Sequence, residues 1–138
     1  MQFRSILFSV FFLSLFQGSA FAENWVEVGP SPSHYTQYYD SASVGREGAK
    51  AGLVSLTNYA SPQSNDDVAG GSQSYSSQTF FMVFDCSSRE VAGIGQFMWF
   101  SNPWAAGELI FKADDFDTTR HPVNAGTANE AMYSVACR

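Results

Sequence analysis

The chain has 138 residues, a formal net charge of −6, and 7 Lys and Arg against 13 Asp and Glu. An acidic chain this poor in cations has no electrostatic grip on phosphates or anionic lipid, which excludes a nucleic-acid partner and argues against heparin-like ligands. The length suits one domain with one core, and no repeat or linker marks a second.

Residues 1–22, MQFRSILFSVFFLSLFQGSAFA, carry one base, Arg4, then an apolar run over residues 6–16 broken only by Ser9 and Ser14. Ala20 and Ala22 put small residues at the two positions a signal peptidase reads. This is the layout of a secretory signal peptide. The run is shorter than the roughly 20 residues that span a bilayer, so a retained anchor is the poorer reading. Cleavage is expected between Ala22 and Glu23; it removes Arg4 and no acid, taking the net charge from −6 to −7. No cysteine stands at that point to take a lipid, and residues 23–138 contain no further apolar run long enough to span a membrane. The expected domain is residues 23–138, exported and periplasmic or secreted, with surface association left open and no lipid anchor.

The mature segment reads mostly as strands. Residues 24–28 (NWVEV) form a short one, stopped by Gly29 and Pro30. Residues 35–40 (YTQYYD) carry three tyrosines, which favour a pleated, half-buried surface. Turn signals at Gly45 and Gly48 precede a third strand over residues 51–59. Residues 61–74, polar and Gly-rich with Asp66 and Asp67, read as a surface loop. A fourth strand over residues 75–86 puts Phe80, Met82 and Phe84 on one face and Phe81 and Val83 on the other. Ser87, Ser88 and Arg89 turn the chain into a fifth strand over residues 90–100. There Gly93 and Gly95 share a face with Phe97 and Trp99 and leave room for a close neighbour or mark a bend. Residues 107–112 make a sixth strand, after the break at Asn102 and Pro103.

The last segment changes period. Thr127 followed by Glu130 is a capping-box pattern, and Ala128, Ala131, Met132 and Val135 then fall on one helical stripe. A helix this short is marginal alone. Cys86 and Cys137 are the only cysteines, and an exported chain meets an oxidising compartment, so a disulfide joining the fourth strand to this helix is expected. Closing so long a loop removes unfolded-state entropy worth roughly 4 kcal/mol in the chain-entropy account. The expected fold class is α+β: an antiparallel sheet of about six strands with a C-terminal helix packed on it and held by that disulfide.

Several stretches together resemble the bacterial surface-adhesin protein E family. They are Trp25 opening the first strand, YYDSASV at residues 38–44, LVSLTNYASPQ at 53–63, SSQTFFMVFDC at 76–86 with Arg89, and HPVNAGTANEAMYSVAC at 121–137, in the family's order. The resemblance implies a sheet carrying a disulfide-held helix, and a role in binding host matrix or envelope proteins. The chain departs from the family's namesake in lacking a lipidation cysteine, in its acidity, and in the aliphatic Val54 where relatives often carry tryptophan.

Chemistry has thinner support. His34 and His121 lie beside proline turns without a nucleophile or zinc-site context. Residues 112–121 (KADDFDTTRH) gather Asp114, Asp115, Asp117 and His121 in what reads as a solvated acidic loop, without the glycine and terminal glutamate of a calcium loop. Trp99 and Trp104 read as core or partly buried turn residues. The leading expectation is a non-catalytic interaction module without cofactor, acting through a sheet edge or the loop at residues 61–74. The alternatives are a structural envelope protein forming a homodimer through a sheet edge, and a small metal-assisted hydrolase built on the aspartates and His121.

Overall fold

A computed structural model describes residues 24–29, 31–65 and 73–138. In chain order the elements are β1 (Trp25–Glu27), β2 (Tyr35–Asp40), a 3₁₀ turn (Ser41–Ser43), β3 (Gly45–Glu47), β4 (Lys50–Asn65), β5 (Gln73–Asp85), β6 (Glu90–Asn102), β7 (Ala106–Asp117), β8 (His121–Pro122) and α1 (Ala128–Ala136). The strands form one antiparallel sheet in the order β1-β2-β4-β5-β6-β7, with β3 beside the start of β4 and β8 beside the start of β6. The expected fold class holds with eight described strands rather than six. The two additions are three and two residues long, and sequences such as Gly-Arg-Glu and His-Pro carry no apolar alternation to betray them.

Register decides which side chains face the helix. Ala51 lies opposite Phe84 and Leu53 opposite Met82; Met82 then faces Ile94, and Phe84 faces Val91. Met132 and Ala136 of α1 close this face into a core with Val28, Ala51, Leu53, Met82, Phe84, Val91 and Val123. Burying a side chain such as Phe84, Leu53 or Met82 is worth about 1.5–3 kcal/mol each. The buried helical pair is Met132 and Ala136, whereas Val135 is only half-buried. The stripe is thus turned from the one that ends on Val135, because Cys137 and Tyr133 also have to reach the sheet.

The helix is held at both ends. Thr127 Oγ1 accepts a hydrogen bond from Glu130 N at 3.3 Å, and Glu130 Oε1 accepts one from Gly126 N at 3.3 Å. The reciprocal half of the capping box thus serves the residue before the cap. The Cys86–Cys137 disulfide spans 5.5 Å between Cα atoms and closes a separation of 51 residues. Beside it the Tyr133 hydroxyl donates to Cys86 O at 3.0 Å, and the Arg89 guanidinium lies 5.3 Å from the Tyr133 ring centre. Arg89, at φ 58 in the turn, also pairs with Glu130. Turn and helix are one unit.

The structure corrects three expectations. The described parts of the polar stretch 61–74, residues 61–65 and 73–74, continue the β4–β5 hairpin, with Gln63 opposite Tyr75 and Asn65 opposite Gln73; residues 66–72, Asp66 and Asp67 among them, lie outside the described residues. The acidic stretch beginning at Lys112 is strand as far as Asp117, because β6 supplies it with ladder partners that the sequence does not advertise. Gly93 and Gly95 do not share a face with Phe97 and Trp99. Gln96 takes φ 55, and pairing moves from Phe81 opposite Gly95 to Thr79 opposite Met98. The extra residue swaps the faces. Phe97 and Trp99 therefore join Phe80 on the helix side, and the space over the glycines is filled by Phe116 of β7.

Two stability outcomes follow. A Cβ at Gly95 would lie 2.4 Å from both Asp115 O and Phe116 Cδ2, whereas one at Gly45 meets nothing within 4 Å. Urea unfolding should show Gly95→Ala destabilised by about 1–3 kcal/mol and Gly45→Ala hardly at all. Cys137→Ala should cost about 2–5 kcal/mol in the same assay; an unchanged midpoint would show that the helix docks without its bond.

Candidate functional site

On the helix side of the sheet, α1 covers only the end formed by the starts of β4 and β6 and the end of β5. Farther along, a row of rings crosses five strands. Tyr35 of β2 is 6.5 Å from Tyr59 of β4, and Tyr59 is 5.7 Å from Tyr75 of β5. Tyr75 stacks on Trp99 of β6 at 4.5 Å and 14°, and Trp99 is 4.6 Å from Phe111 of β7. His34 packs edge-on against Tyr35 at 4.7 Å. Such cross-strand aromatic pairs stabilise a sheet beyond their buried area. The row is closely enough packed that burial, followed by the neighbouring Tyr75 and Tyr35, pushes the Tyr59 hydroxyl up to about 12. Sequence reading registers the individual aromatics but not the row, which exists only once four registers are known.

The opposite face is approached by the β6–β7 turn. Trp104 and Ala105 take φ 66 and 53, a left-handed pair that bulky residues adopt only when held there. Asn58 Oδ1 holds Trp104 N at 2.8 Å. Ser77 Oγ accepts from Ala105 N at 3.0 Å and donates to Asn102 O at 2.6 Å. The indole, 48% exposed, leans on Tyr38 at 4.7 Å. Leu56 on this face is fully buried, and Thr79 opposite it keeps a buried hydroxyl without a hydrogen-bond partner among the described residues.

β7 is the last strand on its side of the sheet. Its inner edge pairs with β6, and among the described residues its outer edge has no strand beside it. Leu109 and Phe116 are 47% and 40% exposed there. Glu108, Asp114, Asp115 and Asp117 accompany the one base, Lys112, which pairs with Asp114 at 3.4 Å. Three register shifts between β6 and β7 put extra residues into β7. Charges and bulges are the usual protections of an edge strand against indiscriminate pairing. The aspartates and His121 are spread along β7 and β8, and Asp117 is occupied in accepting from Thr119 N at 2.8 Å. Among the described residues no three His, Cys, Asp or Glu come together as a metal-ligand group.

Two other features lie elsewhere on the sheet. A cleft of about 450 Å³ lies between the β3–β4 turn and the side chains of Phe81 and Val83. Its Arg46 is committed to Gly48 O and to the backbone carbonyls of Cys137 and Arg138, and Ser43 Oγ accepts from Val54 N at 2.8 Å, so no nucleophile–base pair converges there. The last turns of the β4–β5 hairpin, up to Asn65 and from Gln73, continue past β2 as a polar two-stranded arm.

At the base of the sheet Arg120 joins β7 to the β5–β6 hairpin, donating to Asp85 Oδ2 at 3.0 Å and Glu90 Oε2 at 2.8 Å. Ser87, Arg120 and the backbone N–H of Ser87 hold the Asp85 carboxyl far below the usual carboxylate range. Arg120 and Ser88 lower that of Glu90. No described helix is long and apolar enough to cross a membrane.

The sequence profile of the surface-adhesin protein E family matches residues 25–138. Among solved structures, crystal form II of Haemophilus influenzae protein E matches with a TM-score of 0.59 at 12% identity, covering 83% of this chain and 87% of that one. A second structure of the same protein gives 0.56 at 12% identity over 83% and 93%. At that identity the likeness speaks for the fold alone. No curated protein sequence matches this chain.

The Arg120 clamp has a defined pH signature. A carboxyl whose folded pKa is depressed contributes stability that is present above its unfolded value of about 4 and lost as pH falls towards the folded value. Wild type should therefore exceed Arg120→Met in stability at pH 7, and thermal melts should show that gap closing below about pH 4. A gap independent of pH would remove Asp85 and Glu90 from the account.

Proposed function

The chain belongs to the surface-adhesin protein E family, and we propose that it acts as an exported, non-catalytic binding module that meets a protein partner along β7. The observation that carries this is the outer edge of β7, which has no other described strand beside it, with Leu109 and Phe116 partly exposed on the face of the same strand. A strand edge offers a row of backbone donors and acceptors, and an extended segment of another protein can satisfy them. What supports recognition over catalysis is that Arg46 and Ser43 in the cleft are engaged by backbone groups and that the aspartates are dispersed along a strand. Host matrix or envelope proteins are the partner class suggested by the family. The polar β4–β5 arm stands ready as a second contact. Self-association through the same edge is the alternative, and the four carboxylates that each copy would bring oppose it.

Export by the expected route supplies the setting: a signal peptide cleaved between Ala22 and Glu23, leaving a chain released without a lipid. Intact mass of exported protein should begin at Glu23; a species retaining Met1 in the membrane fraction would contradict release.

The functional test places purified residues 23–138 on a panel of immobilised matrix and envelope proteins and measures binding by surface plasmon resonance. Leu109→Lys, a gatekeeper charge on an already exposed position, should reduce binding to the captured partner at least about tenfold while leaving the melting temperature unchanged. Full binding by that variant would move the site away from β7.

A further inference from the structure

We propose that the strand β7 accepts is a basic one, an extended segment carrying lysine or arginine at alternate positions with apolar residues between them. This rests on the reading of β7 as the binding edge and adds the chemistry of the partner. Three observations converge on it. Residues 106–117 hold four carboxylates and one base, and that base is already paired with Asp114. Charge of one sign along an edge selects for the opposite sign across it and against its own copy.

The second observation is the aromatic row, which ends at Phe111 on β7. A strand added beside β7 lies about 4.8 Å farther out, so its side chains on the helix face fall next in line after the Phe111 ring. A cation there meets the Phe111 ring, and cations farther along the same face meet Asp115 and Asp117.

The third observation concerns the other face. Leu109, opposite Phe100, and Phe116, opposite Gly95, lie on the side away from the helix, and both are exposed. Alternate residues of the added strand meet Leu109 and Phe116 on that side, with the internally neutralised Lys112–Asp114 pair between them. The bulges in β7 leave Phe111–Ala113, paired regularly with Phe97–Trp99, as the stretch where a short segment can add in register.

The probe is the peptide (Lys-Val)₅, titrated calorimetrically into the purified mature chain at low and high salt. Three comparison peptides accompany it: (Glu-Val)₅, (Thr-Val)₅, and a fully N-methylated (Lys-Val)₅ that keeps the charge but has no backbone N–H to donate. The expected result is salt-sensitive binding of (Lys-Val)₅ alone, weakened about tenfold in the triple variant Asp114→Asn, Asp115→Asn, Asp117→Asn. Equal binding of (Thr-Val)₅ would overturn the basic partner while leaving the edge in use. Equal binding of the N-methylated peptide would overturn strand addition itself. A dimer in sedimentation of the free protein, dissociated by Leu109→Lys, would overturn it in favour of a second copy. No binding of (Lys-Val)₅ by a folded, monomeric chain would also overturn it.

Discussion

A single sheet has two faces, and the described residues offer one nine-residue α-helix with which to cover them. Everything else depends on how that helix is fixed. Its isolated stability is marginal, so the sheet has to supply what its own hydrogen bonds do not. Met132 and Ala136 supply apolar burial, and the Cys86–Cys137 bond removes the alternative in which the C-terminal segment drifts away. The bond is placed where it acts on two elements together. Cys86 begins the β5–β6 turn, so tying it to the helix also sets the turn, with Tyr133 and Arg89 completing the joint.

Because the core is concentrated at that end, the far half of the sheet must hold its shape by other means. Rings packed ring to ring across β2, β4, β5, β6 and β7 provide one. Phe116 lying over Gly93 and Gly95 provides another, seating β7 closely on β6. The left-handed Trp104–Ala105 turn, pinned by Asn58 and Ser77, provides a third on the opposite face. These devices stiffen the sheet while leaving the outer edge of β7 without a strand partner among the described residues. A rigid support with a long edge strand at its margin is the architecture expected of a contact module: binding orders little of the protein itself, so less of the interaction is lost to entropy.

Much of this was legible in the residues. The period change at Thr127, the lone cysteine pair and the alternation around Phe80–Phe84 lead directly to a helix stapled on an antiparallel sheet. What escaped was whatever depends on pairing rather than on local pattern. β3 and β8 have no strand composition and exist because β4 and β6 have free edges to offer. Gln96 gives no hint that it will turn left-handed and exchange the faces of Gly95 and Phe97. The acidic run at Asp114, Asp115 and Asp117 resembles a solvated loop in composition, and only the ladder with β6 makes it strand. The open edge follows the same rule, since an edge is defined by the neighbour it lacks. The aromatic row likewise needs register before Tyr59, Tyr75 and Trp99 become neighbours.

The central claim is that β7 presents an unpaired edge on a rigid, helix-stapled sheet. Residue-resolved amide hydrogen exchange on the free protein tests it most directly. The account predicts strong protection throughout the middle of β5, whose both edges are paired, and in the core turns of α1. Along β7 it predicts alternation, with amides directed at β6 protected and those directed outward exchanging nearly as fast as loop residues. Uniform protection along β7 would mean that something already covers the edge, and would contradict the account.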